Sequence, residues 1–442
     1  MNTLDLQKGK LMNKKSKVIV LPCDDYDEEK IYTLLKIGLD QLGGLESFIN
    51  KEEKILLKPN LLKKAEVEKA VITHPVVVGA FARILREEEY ENIVLADSCG
   101  HGTTRQVIQG TGMDTCLEKY QIPAIDYTKG VHVDNPEGTQ AKEFILPKEL
   151  LEADCVISLS KMKTHALERI TGAVKNSYGF IYGKNKAIGH TKYPSADSFA
   201  RMLIDLNQYV KPRLYIMDGI TAMEGNGPGS GDPVTMNMIL MSMDPVALDS
   251  VFARLVYLKP EMVPTNYHGE KMGLGNYREE NIEVILASGM EEDESTWLKN
   301  GRREERIKDR IEHGSEDRIK NDRSRENAAE QPAWRMRPQC SVISMKELVE
   351  QYGNPHFNVD RTKVRSNIWT KLAKALNIFQ KKPYIEADKC VRCGICVNSC
   401  PVPGKAVDFR NGKKQPPVYD YKKCIRCFCC QEMCPKKAIK VK

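Results

Sequence analysis

Eight cysteines near the C-terminus carry the clearest chemistry in the sequence. They form two runs of the pattern Cys-x2-Cys-x2-Cys-x3-Cys-Pro, one from Cys390 to Pro401 and one from Cys424 to Pro435. Three thiolates at this spacing bind one face of a 4Fe–4S cubane, and the fourth lies too far along the chain to complete the same cluster, so it binds the other one. The spacing therefore predicts two 4Fe–4S clusters, one held by Cys390, Cys393, Cys396 and Cys434 and the other by Cys424, Cys427, Cys430 and Cys400.

A four-thiolate zinc site is the alternative use of such cysteines. Structural zinc sites usually combine two well-separated Cys-x2-Cys pairs, a pattern that a triplet followed by Cys-Pro fits poorly. The flanking residues repeat as well, with Lys405-Ala-Val after the first run and Lys437-Ala-Ile after the second. This part of the chain resembles a bacterial two-cluster ferredoxin, with a longer connection between its halves that is expected to form a hairpin.

Cys429 is an additional cysteine inside the second run. It could serve as an alternative ligand or as a redox thiol. It could also be a small buried residue against the cluster, a role that free cysteine often takes, and we favour that interpretation.

The composition indicates a protein of a reducing compartment. The 442 residues are enough for about two or three domains. Residues 1–17 lack the apolar core of a secretory signal, and no apolar run of about 18 residues predicts a transmembrane helix. We therefore expect a cytoplasmic protein of an anaerobic organism, in which free thiols and low-potential clusters survive.

The charge of the chain bears on its partners. The formal net charge is +7, and residues 381–442 contain 15 Lys and Arg against 5 Asp and Glu. Part of this charge offsets the clusters, since an oxidised 4Fe–4S cluster with four thiolates carries about −2. The remaining basic surface favours an acidic redox partner protein. No recognised nucleic-acid-binding module is present, so nucleic acid is not expected as a partner.

Upstream of the cysteines, apolar runs alternate with helical patterns. Strands are expected at 17–22, 55–62, 92–97, 155–160, 214–218, 236–243 and 281–287, and helices at 28–42, 75–88, 166–178, 195–210 and 244–258. The alternation predicts an α/β domain with a mainly parallel sheet and flanking helices, followed by a small α+β two-cluster ferredoxin-like domain. The expected parts are the α/β domain (15–290), a charged, flexible insertion (291–335), a connector (336–382) and the ferredoxin domain (383–442).

The connector carries one apolar stripe at helical spacing on a basic background. Its members are Ile368, Trp369, Leu372, Leu376 and Phe379. Such a helix could attach to a membrane surface, or it could dock the ferredoxin domain onto the α/β domain. Docking is favoured because the helix is short and a connector needs a buried face.

Polar residues follow several of the expected strands in the α/β domain. They are Lys58 and Asn60, residues 97–104, residues 160–165 and residues 218–231. Ligands collect at the carboxyl ends of strands in open α/β sheets, so we expect these segments to converge on one crevice. Two lysines and a histidine suit an anionic ligand such as a carboxylate or phosphate. The catalytic candidates are therefore Lys161, Lys163 and His165, with His165 as acid or base.

Other polar residues are candidates for contact with the ligand. They are Lys58, Asn60, His74, Lys175, Asn176, Asp218 and Glu224, and His190 lies near this set in sequence. The glycine-rich residues 224–231 lack the P-loop pattern. A mononuclear metal bound by His74, His101 and His165 is conceivable, but their spacing forms no motif.

Six short motifs stand out between residues 53 and 260. They are Leu57-Lys58-Pro59-Asn60, Thr73-His74-Pro75, residues 159–165, Thr171-Gly172-Ala173-Val174-Lys175-Asn176, residues 218–220 with 224–228, and Asp244-Pro245-Val246-Ala247-Leu248-Asp249. As a set they resemble the family catalogued as domain of unknown function 362, many members of which carry a C-terminal ferredoxin module. The resemblance implies that the polar positions line a shared site, but it supplies no reaction.

Two classes of function remain open at this point. The first is an iron–sulfur oxidoreductase that relays electrons through the ferredoxin domain to an anionic-ligand site in the α/β domain. The second is a non-catalytic electron-transfer or assembly protein that docks on a partner enzyme. Convergence of the polar segments near one cluster favours the first class, and their dispersal favours the second.

Overall fold

The computed structural model describes residues 15–288, 339–362, 381–410 and 412–442. The chain divides into two compact units, one formed by Met1–Leu286 with Val342–Lys442 and the other by Ala287–Ser341. The first unit contains both the α/β part and the cysteine-rich part, so the contacts between these two parts lie within one compact unit. The charged residues 291–330 and the apolar stripe from Ile368 to Phe379 lie outside the described residues.

The elements alternate through the α/β part, as the sequence pattern predicts. The strands are β1 (Ser16–Pro22), β2 (Ile55–Pro59), β3 (Ile93–Leu95), β4 (Gly130–Asp134), β5 (Glu143–Pro147), β6 (Cys155–His165), β7 (Arg169–Thr171), β8 (Leu214–Glu224), β9 (Asp232–Thr235), β10 (Met238–Ser242), β11 (Ile282–Ser288), β12 (Gln339–Ile343), β13 (Pro383–Ile385), β14 (Val407–Asp408), β15 (Val418–Tyr419) and β16 (Ile439–Val441). The helices are α1 (Glu28–Leu42), α2 (Pro75–Glu87), α3 (Thr104–Ile108), α4 (Met113–Lys119), α5 (Lys148–Leu151), α6 (Ala173–Asn176), α7 (Asn185–Lys192), α8 (Ala196–Val210), α9 (Pro245–Leu255), α10 (Pro264–Lys271), α11 (Met345–Tyr352), α12 (Ile395–Asn398) and α13 (Cys429–Glu432).

The main sheet is mixed but mainly parallel. Its strands follow the order β11-β1-β10-β8-β6-β2-β3, with β7 paired to β6 and β9 paired to β8. The pairs β1/β11, β8/β6, β6/β2 and β2/β3 are parallel, whereas β10 is antiparallel to both of its neighbours. Strand β6 lies inside the sheet and all of its residues are buried. Helices flank the sheet, and α9 packs its Val251 and Leu255 with Val18 and Leu240 of the strands. The predicted α/β fold is confirmed.

Two local predictions are wrong. Strand β6 does not end at residue 160 but continues to His165, so Lys161, Lys163 and His165 lie on the strand and not in a loop after it. Residues 166–178 do not form one helix, because Arg169–Thr171 pairs with β6 as the antiparallel strand β7. Helix α6 begins only after Gly172, where the carboxylate of Asp249 accepts hydrogen bonds from the backbone N–H groups of Ala173 and Val174.

The cysteine-rich part is built from two similar halves. Strands β13 and β16 pair antiparallel, and β14 and β15 form the predicted hairpin across the longer connection. Equivalent positions of the two halves share a left-handed backbone, as at Arg392 and Arg426, both with φ of 58°. Phe428 adopts φ of 60° where the first half has Gly394 at 80°. The sequence repeat is therefore also a repeat of backbone conformation.

Candidate functional site

Four cysteines drawn from both runs surround one pocket. Cys390, Cys393, Cys396 and Cys434 line it, together with apolar groups such as Ile385 and Pro435. Burial raises the pKa of the Cys396 thiol to about 11, and the charges of Cys390, Cys393 and Cys434 add to the rise. These are the four cysteines of the first predicted ligand set. Four thiols around one pocket fit an iron–sulfur cluster, which replaces their protons with iron.

The remaining four cysteines form a second group. Burial raises the pKa of Cys424, and the charges of Cys427 and Cys400 act in the same direction. Burial is also the main cause of the raised pKa of the Cys430 thiol, and the charges of Cys427 and Cys424 raise it further. Among the described residues, no group of three or more Cys, His, Asp or Glu converges on a single metal ion. A cubane differs from such a site because its four thiolates bind four separate iron atoms.

Several cysteine sulfurs accept hydrogen bonds in a pattern shared by the two halves. The backbone N–H of Ala406 lies 3.3 Å from Cys400 Sγ, and the backbone N–H of Ala438 lies 3.3 Å from Cys434 Sγ. The Tyr419 hydroxyl donates to Cys430 Sγ at 3.1 Å. Donors of this kind stabilise thiolate charge and influence the potential of a bound cluster.

A cavity of about 750 Å³ lies between the cysteine-rich part and the carboxyl-end segments of the sheet. From the α/β part, its walls include Lys58, Asn60, residues 97–102, Lys163, Lys175, Asn176, Tyr178 and His190. From the cysteine-rich part, they include residues 398–401, Lys405, Cys429 and Glu432. The volume falls within the usual range for small-molecule sites. Cys400, a member of the second predicted ligand set, is therefore itself part of the wall.

Lys58 and Asp97 form the polar floor of this cavity. Both are buried, and Lys58 Nζ lies 2.9 Å from Asp97 Oδ1. Lys58 also donates to Asn176 Oδ1 at 3.0 Å. Burial lowers the pKa of Lys58, and the charge of Asp97 opposes this effect. Gly179 lets the pair approach, since a Cβ at that position would lie 2.1 Å from Asp97 Oδ1 and 2.4 Å from Lys58 Nζ.

Lys163 and Lys186 enter the cavity with only neutral partners among the described residues. Lys163 donates to Asn60 Oδ1 and to the carbonyl of Val71, each at 3.0 Å. Burial lowers its pKa well below the usual value, and the nearby charge of Lys175 lowers it further. Lys186 donates to the carbonyl of Ser98, and burial lowers its pKa to about 8.

His165 does not line the cavity, but it contacts Glu432, which does. Its Nδ1 accepts hydrogen bonds from the backbone N–H groups of Leu167 and Glu168, at 3.2 and 3.0 Å. Nδ1 is thus unprotonated, and Nε2 carries the proton that it donates to Glu432 Oε1 at 3.0 Å. Burial lowers the pKa of His165 to about 4. Burial would raise the pKa of Glu432, but the hydrogen bond from His165 and the charge of Lys175 bring it to about 2.

His190 presents a second buried imidazole to the cavity. Its ring stacks on Phe199 with centroids 4.6 Å apart, and its Nδ1 is buried without a hydrogen-bond partner among the described residues. Burial lowers its pKa to about 4, so the ring is neutral. Cys99 and Cys429 supply two thiols to the same walls.

Four further candidate residues lie outside the cavity walls, namely Lys161, His74, Asp218 and Glu224. Lys161 Nζ contacts Asp218 Oδ2 at 2.7 Å and the Tyr26 hydroxyl at 3.0 Å. Lys161 and Asp218 are buried, whereas Tyr26, which stacks on His74, is partly buried. The register of β6 against β8 shifts between Lys161 and Lys163, and such an irregularity re-aims side chains that would otherwise share a face. Glu224 accepts a hydrogen bond from the backbone N–H of Asn358 at 2.7 Å.

The histidines also separate. His74 acts as the N-cap of α2, with Nδ1 accepting from Val76 N at 3.3 Å. His101 lines the cavity, whereas His165 faces Glu432. The alternative of one metal held by His74, His101 and His165 is therefore not supported by the arrangement of these three residues.

The glycine-rich segment 224–231 contacts the cysteine-rich part, and only its Pro228 reaches the cavity wall. Gln431 Nε2 donates to the carbonyls of Asn226 and Gly227, at 2.7 and 3.1 Å. Asn226 Nδ2 donates to the carbonyl of Ile439 at 3.0 Å. A Cβ on Gly229 would lie 2.8 Å from the carbonyl oxygen of Glu432. The glycines thus permit close approach of two backbones.

The sequence reasoning missed Glu432, Lys186 and Lys405 as cavity residues. Glu432 stands two positions after Cys430, and the cysteine spacing gives no sign that its carboxylate faces a cavity. Lys186 belongs to α7, in a stretch where no element was predicted. For Lys405, the sequence signal was its repetition at Lys437 in the second half. The two lysines differ in the structure, because Lys437 donates to the carbonyl of Gly231 and Lys405 donates to the carbonyl of Cys400.

Two family models match separate parts of the chain. The family described as Domain of unknown function (DUF362) matches residues 55–254, and a 4Fe-4S dicluster domain matches residues 382–435. The thylakoid-associated protein sll1697 of Synechocystis sp. (strain ATCC 27184 / PCC 6803 / Kazusa) is 34% identical over 258 residues, which cover 58% of this chain and 79% of that protein.

Two solved structures align with part of this chain. One is the lactate racemase apoprotein from Thermoanaerobacterium thermosaccharolyticum, which is 13% identical with a TM-score of 0.33 over 52% of this chain and 54% of that chain. The other is a protein from Thermotoga maritima, also 13% identical with a TM-score of 0.33, over 57% of this chain and 60% of that chain. The chain thus spans less than two thirds of either protein.

No helix in the described part of the chain is long and apolar enough to cross a membrane. The two matched regions coincide with the motif-bearing part of the α/β fold and with the eight spaced cysteines. This chain therefore belongs to the family of Domain of unknown function DUF362, and its C-terminal 4Fe-4S dicluster domain makes it an iron–sulfur protein.

Proposed function

We propose that this protein is an iron–sulfur oxidoreductase that binds two 4Fe–4S clusters and relays electrons to an anionic ligand in the cavity. One observation carries the proposal. Cys400, predicted to bind the second cluster, lines the same cavity as Lys58, Lys175 and Asn176. An electron leaving that cluster would reach a bound ligand without rearrangement of the unit.

The ligand sets follow from the arrangement of the cysteines. We infer that Cys390, Cys393, Cys396 and Cys434 hold the first cluster and that Cys424, Cys427, Cys430 and Cys400 hold the second. The shared pocket supports the first set, and the mutual influence of Cys424, Cys427 and Cys400 supports the second. When bound, each cluster supplies one-electron transfer.

The residues of the α/β part would bind and orient the ligand. Lys163 and Lys175 would attract its negative charge. Asn60 accepts from Lys163 and fixes it, and Asn176 accepts from the neighbouring Lys58. His165 holds its Nε2 proton against Glu432, so any exchange of a proton between His165 and a ligand would pass through Glu432. Lys161, which lies outside the cavity, would support the sheet beneath it through its pair with Asp218.

Anaerobic purification tests the cluster content, with iron and sulfide analysis and electron paramagnetic resonance of the reduced protein. Two 4Fe–4S clusters are expected. Cys400→Ser should alter one cluster signal and leave the other unchanged. A protein that keeps a single cluster, or that binds zinc in place of iron, would contradict the proposal.

The catalytic step is tested by adding anionic electron acceptors to the chemically reduced protein and following cluster reoxidation by absorbance. Lys163→Ala and His165→Ala should slow reoxidation while leaving the cluster spectra intact, and the exposed Lys346→Ala serves as the control. Wild-type rates in both variants would show that the site assignment is wrong. An absence of reoxidation by any acceptor would favour the alternative, a protein that only passes electrons to a partner enzyme.

A further inference from the structure

The cavity contains more lysines than its carboxylates can neutralise. Lys58, Lys163, Lys175, Lys184, Lys186 and Lys405 line it, against the carboxylates of Asp97 and Glu432. Asp97 pairs with Lys58 at 2.9 Å, and Glu432 accepts from His165 at 3.0 Å. Among the described residues, the other five lysines form no ion pair with any carboxylate.

The donors of these lysines are only partly used. An ammonium group has three N–H donors. Lys163 uses two of them on neutral oxygens, and Lys186 and Lys405 each donate to one backbone carbonyl. The Lys175 side chain makes no hydrogen bond to the described residues, and its Nζ lies 6.0 Å from the centre of the Tyr178 ring. Several charged donors are therefore available to a molecule in the cavity.

The lysines also act on one another. The positive charge of Lys175 disfavours the charged forms of Lys58, Lys163 and Lys186, in addition to the larger effect of their burial. Repulsion between buried like charges raises the free energy of the unliganded cavity. A ligand that carries several negative charges would relieve that repulsion at once, whereas a single carboxylate could relieve only part of it.

We propose that the cavity binds a small oxyanion with at least two closely spaced negative charges, such as a phosphoryl or polycarboxylate group, on Lys163, Lys175 and Lys186. This inference deepens the proposed function and rests on it for the identity of the ligand as substrate. The multiply charged group lies against the lysines of the α/β part. The remainder of the molecule extends toward Cys400.

Binding is tested without electron transfer, by isothermal titration of the oxidised holoprotein at constant ionic strength. Pyrophosphate, inorganic phosphate, citrate and acetate are the probes. Pyrophosphate or citrate should bind at least about 10-fold more tightly than acetate, since each added charge meets a further ammonium group. The ratio of pyrophosphate to citrate distinguishes the phosphoryl from the polycarboxylate source. Equal binding of acetate and the multivalent anions would overturn the proposal.

Variants locate the binding. Lys175→Met should weaken the preferred probe by about 10-fold or more, as expected for loss of one charge-assisted contact, and the exposed Lys184→Met at the rim should weaken it less. Lys346→Met on α11 is the matched control and should leave the affinity unchanged. If Lys175→Met does not fold, Lys184→Met still decides the case, because unchanged affinity in this exposed variant would count against the cavity.

The two proposals fail in different ways. If pyrophosphate or citrate binds but no anionic acceptor reoxidises the reduced clusters, the anion site stands and the oxidoreductase proposal falls. If reoxidation depends on Lys163 but only single-charge acceptors react or bind, the oxidoreductase proposal stands and the multivalent ligand falls.

Discussion

At the scale of single residues, the environment decides the role of His165 more than its identity does. Both ring nitrogens already have partners, since Nδ1 accepts from two backbone N–H groups and Nε2 donates to Glu432. The charge that meets the cavity therefore belongs to the Glu432 carboxylate, and the imidazole fixes its position. His190 differs because its Nδ1 is unpartnered among the described residues and its ring forms part of the wall.

Buried neutral histidines predict loss of stability in acid. Burial lowers the pKa of His165 to about 4, compared with about 6.5 in an unfolded chain. As pH falls from 6.5 toward 4, the unfolded chain binds a proton at this histidine that the folded protein does not bind, so the free energy of unfolding decreases. At pH 5 the loss for this histidine is about 2 kcal/mol.

The pH effect is measured as the apparent melting temperature of the anaerobic holoprotein at pH 7 and pH 5. His165→Gln should be less stable than wild type at pH 7, yet it should show a smaller difference between the two pH values. His356→Gln, at an exposed position, should keep the full wild-type difference. An undiminished difference in His165→Gln would mean that His165 is not the group that titrates.

Cys429 has a specific contact with the second ligand set. A hydrogen bond from its thiol lowers the pKa of Cys427, so the thiolate form of Cys427 is stabilised. Removing a donor from a cluster thiolate lowers the reduction potential. For Cys429→Ala we expect a decrease equivalent to about 1 kcal/mol, or roughly 40 mV for one electron. Cys429→Ser keeps a donor and should remain close to wild type.

Redox titration followed by electron paramagnetic resonance measures this shift. It should affect one of the two proposed clusters only, because Cys429 contacts Cys427 of the second proposed ligand set. A Cys429→Ala protein with unchanged potentials would leave Cys429 as a small packing residue, the interpretation that its sequence position favoured.

At the scale of elements, the sequence predicted where polar residues follow strands but not how strands deviate. The segments after β2 and β3 reach the cavity, as the rule for carboxyl ends of parallel strands predicts. The segment at 160–165 contributes Lys163 alone to the described walls, because β6 continues through it and shifts register against β8. That irregularity depends on pairing with a strand about 55 residues later in the chain, which no local pattern reports.

The glycine-rich segment shows the same limitation. Its lack of a P-loop pattern argues against a phosphate loop, yet nothing local indicated the element that it contacts. That element is α13. Gln431 of this helix donates two hydrogen bonds to the segment, and a Cβ on Gly229 would crowd the Glu432 carbonyl. Close backbone approach to a distant element requires small residues, and glycine runs alone do not reveal which element approaches.

This contact predicts that Gln431 stabilises docking of the cysteine-rich part. Gln431 is fully buried and its Nε2 donates to two carbonyls of the segment. Gln431→Ala would leave these carbonyls unpaired, at a cost of about 1–3 kcal/mol. Hydrogen exchange in residues 224–231 should accelerate, and cluster reoxidation by an acceptor should slow, with intact cluster spectra. The exposed Gln415→Ala is the control, and equal exchange in both variants would contradict this role.

At the scale of the whole molecule, the two cysteine sets differ in what surrounds them. Cys393 of the first set is exposed, and Val391 beside it is 54% exposed. Cys400 of the second set is buried and lines the cavity. The first set is thus exposed to solvent at Cys393, whereas the second lines the cavity through Cys400. This arrangement suits a partner protein that exchanges electrons with the first set and a ligand that exchanges electrons with the second. The sequence predicted both sets from spacing, but it could not distinguish their surroundings, because these follow from docking.

The exposed surface near the first set should bind an acidic electron-carrier protein. Arg392 and Lys436 line the pocket of the first cysteine set, within a part of the chain that has 15 basic and 5 acidic residues. Complementary charge accelerates encounter at low ionic strength and is screened by salt. The variant Arg392→Glu with Lys436→Glu should therefore reduce the second-order rate of electron transfer with an acidic flavodoxin or ferredoxin by about 10-fold or more.

Stopped-flow mixing at low and high ionic strength measures this rate. The wild-type rate should fall with added salt, and the double variant should be slower and nearly independent of salt. Lys346→Glu on α11 changes the net charge by the same sign at a site remote in sequence, so it separates local recognition from total charge. If Lys346→Glu slows transfer as much per charge as the double variant does, the long-range field of the molecule and not a docking surface steers the partner. Reduction by a small neutral reagent should be the same in all three proteins, since it needs access to the first cluster but no complementary charge.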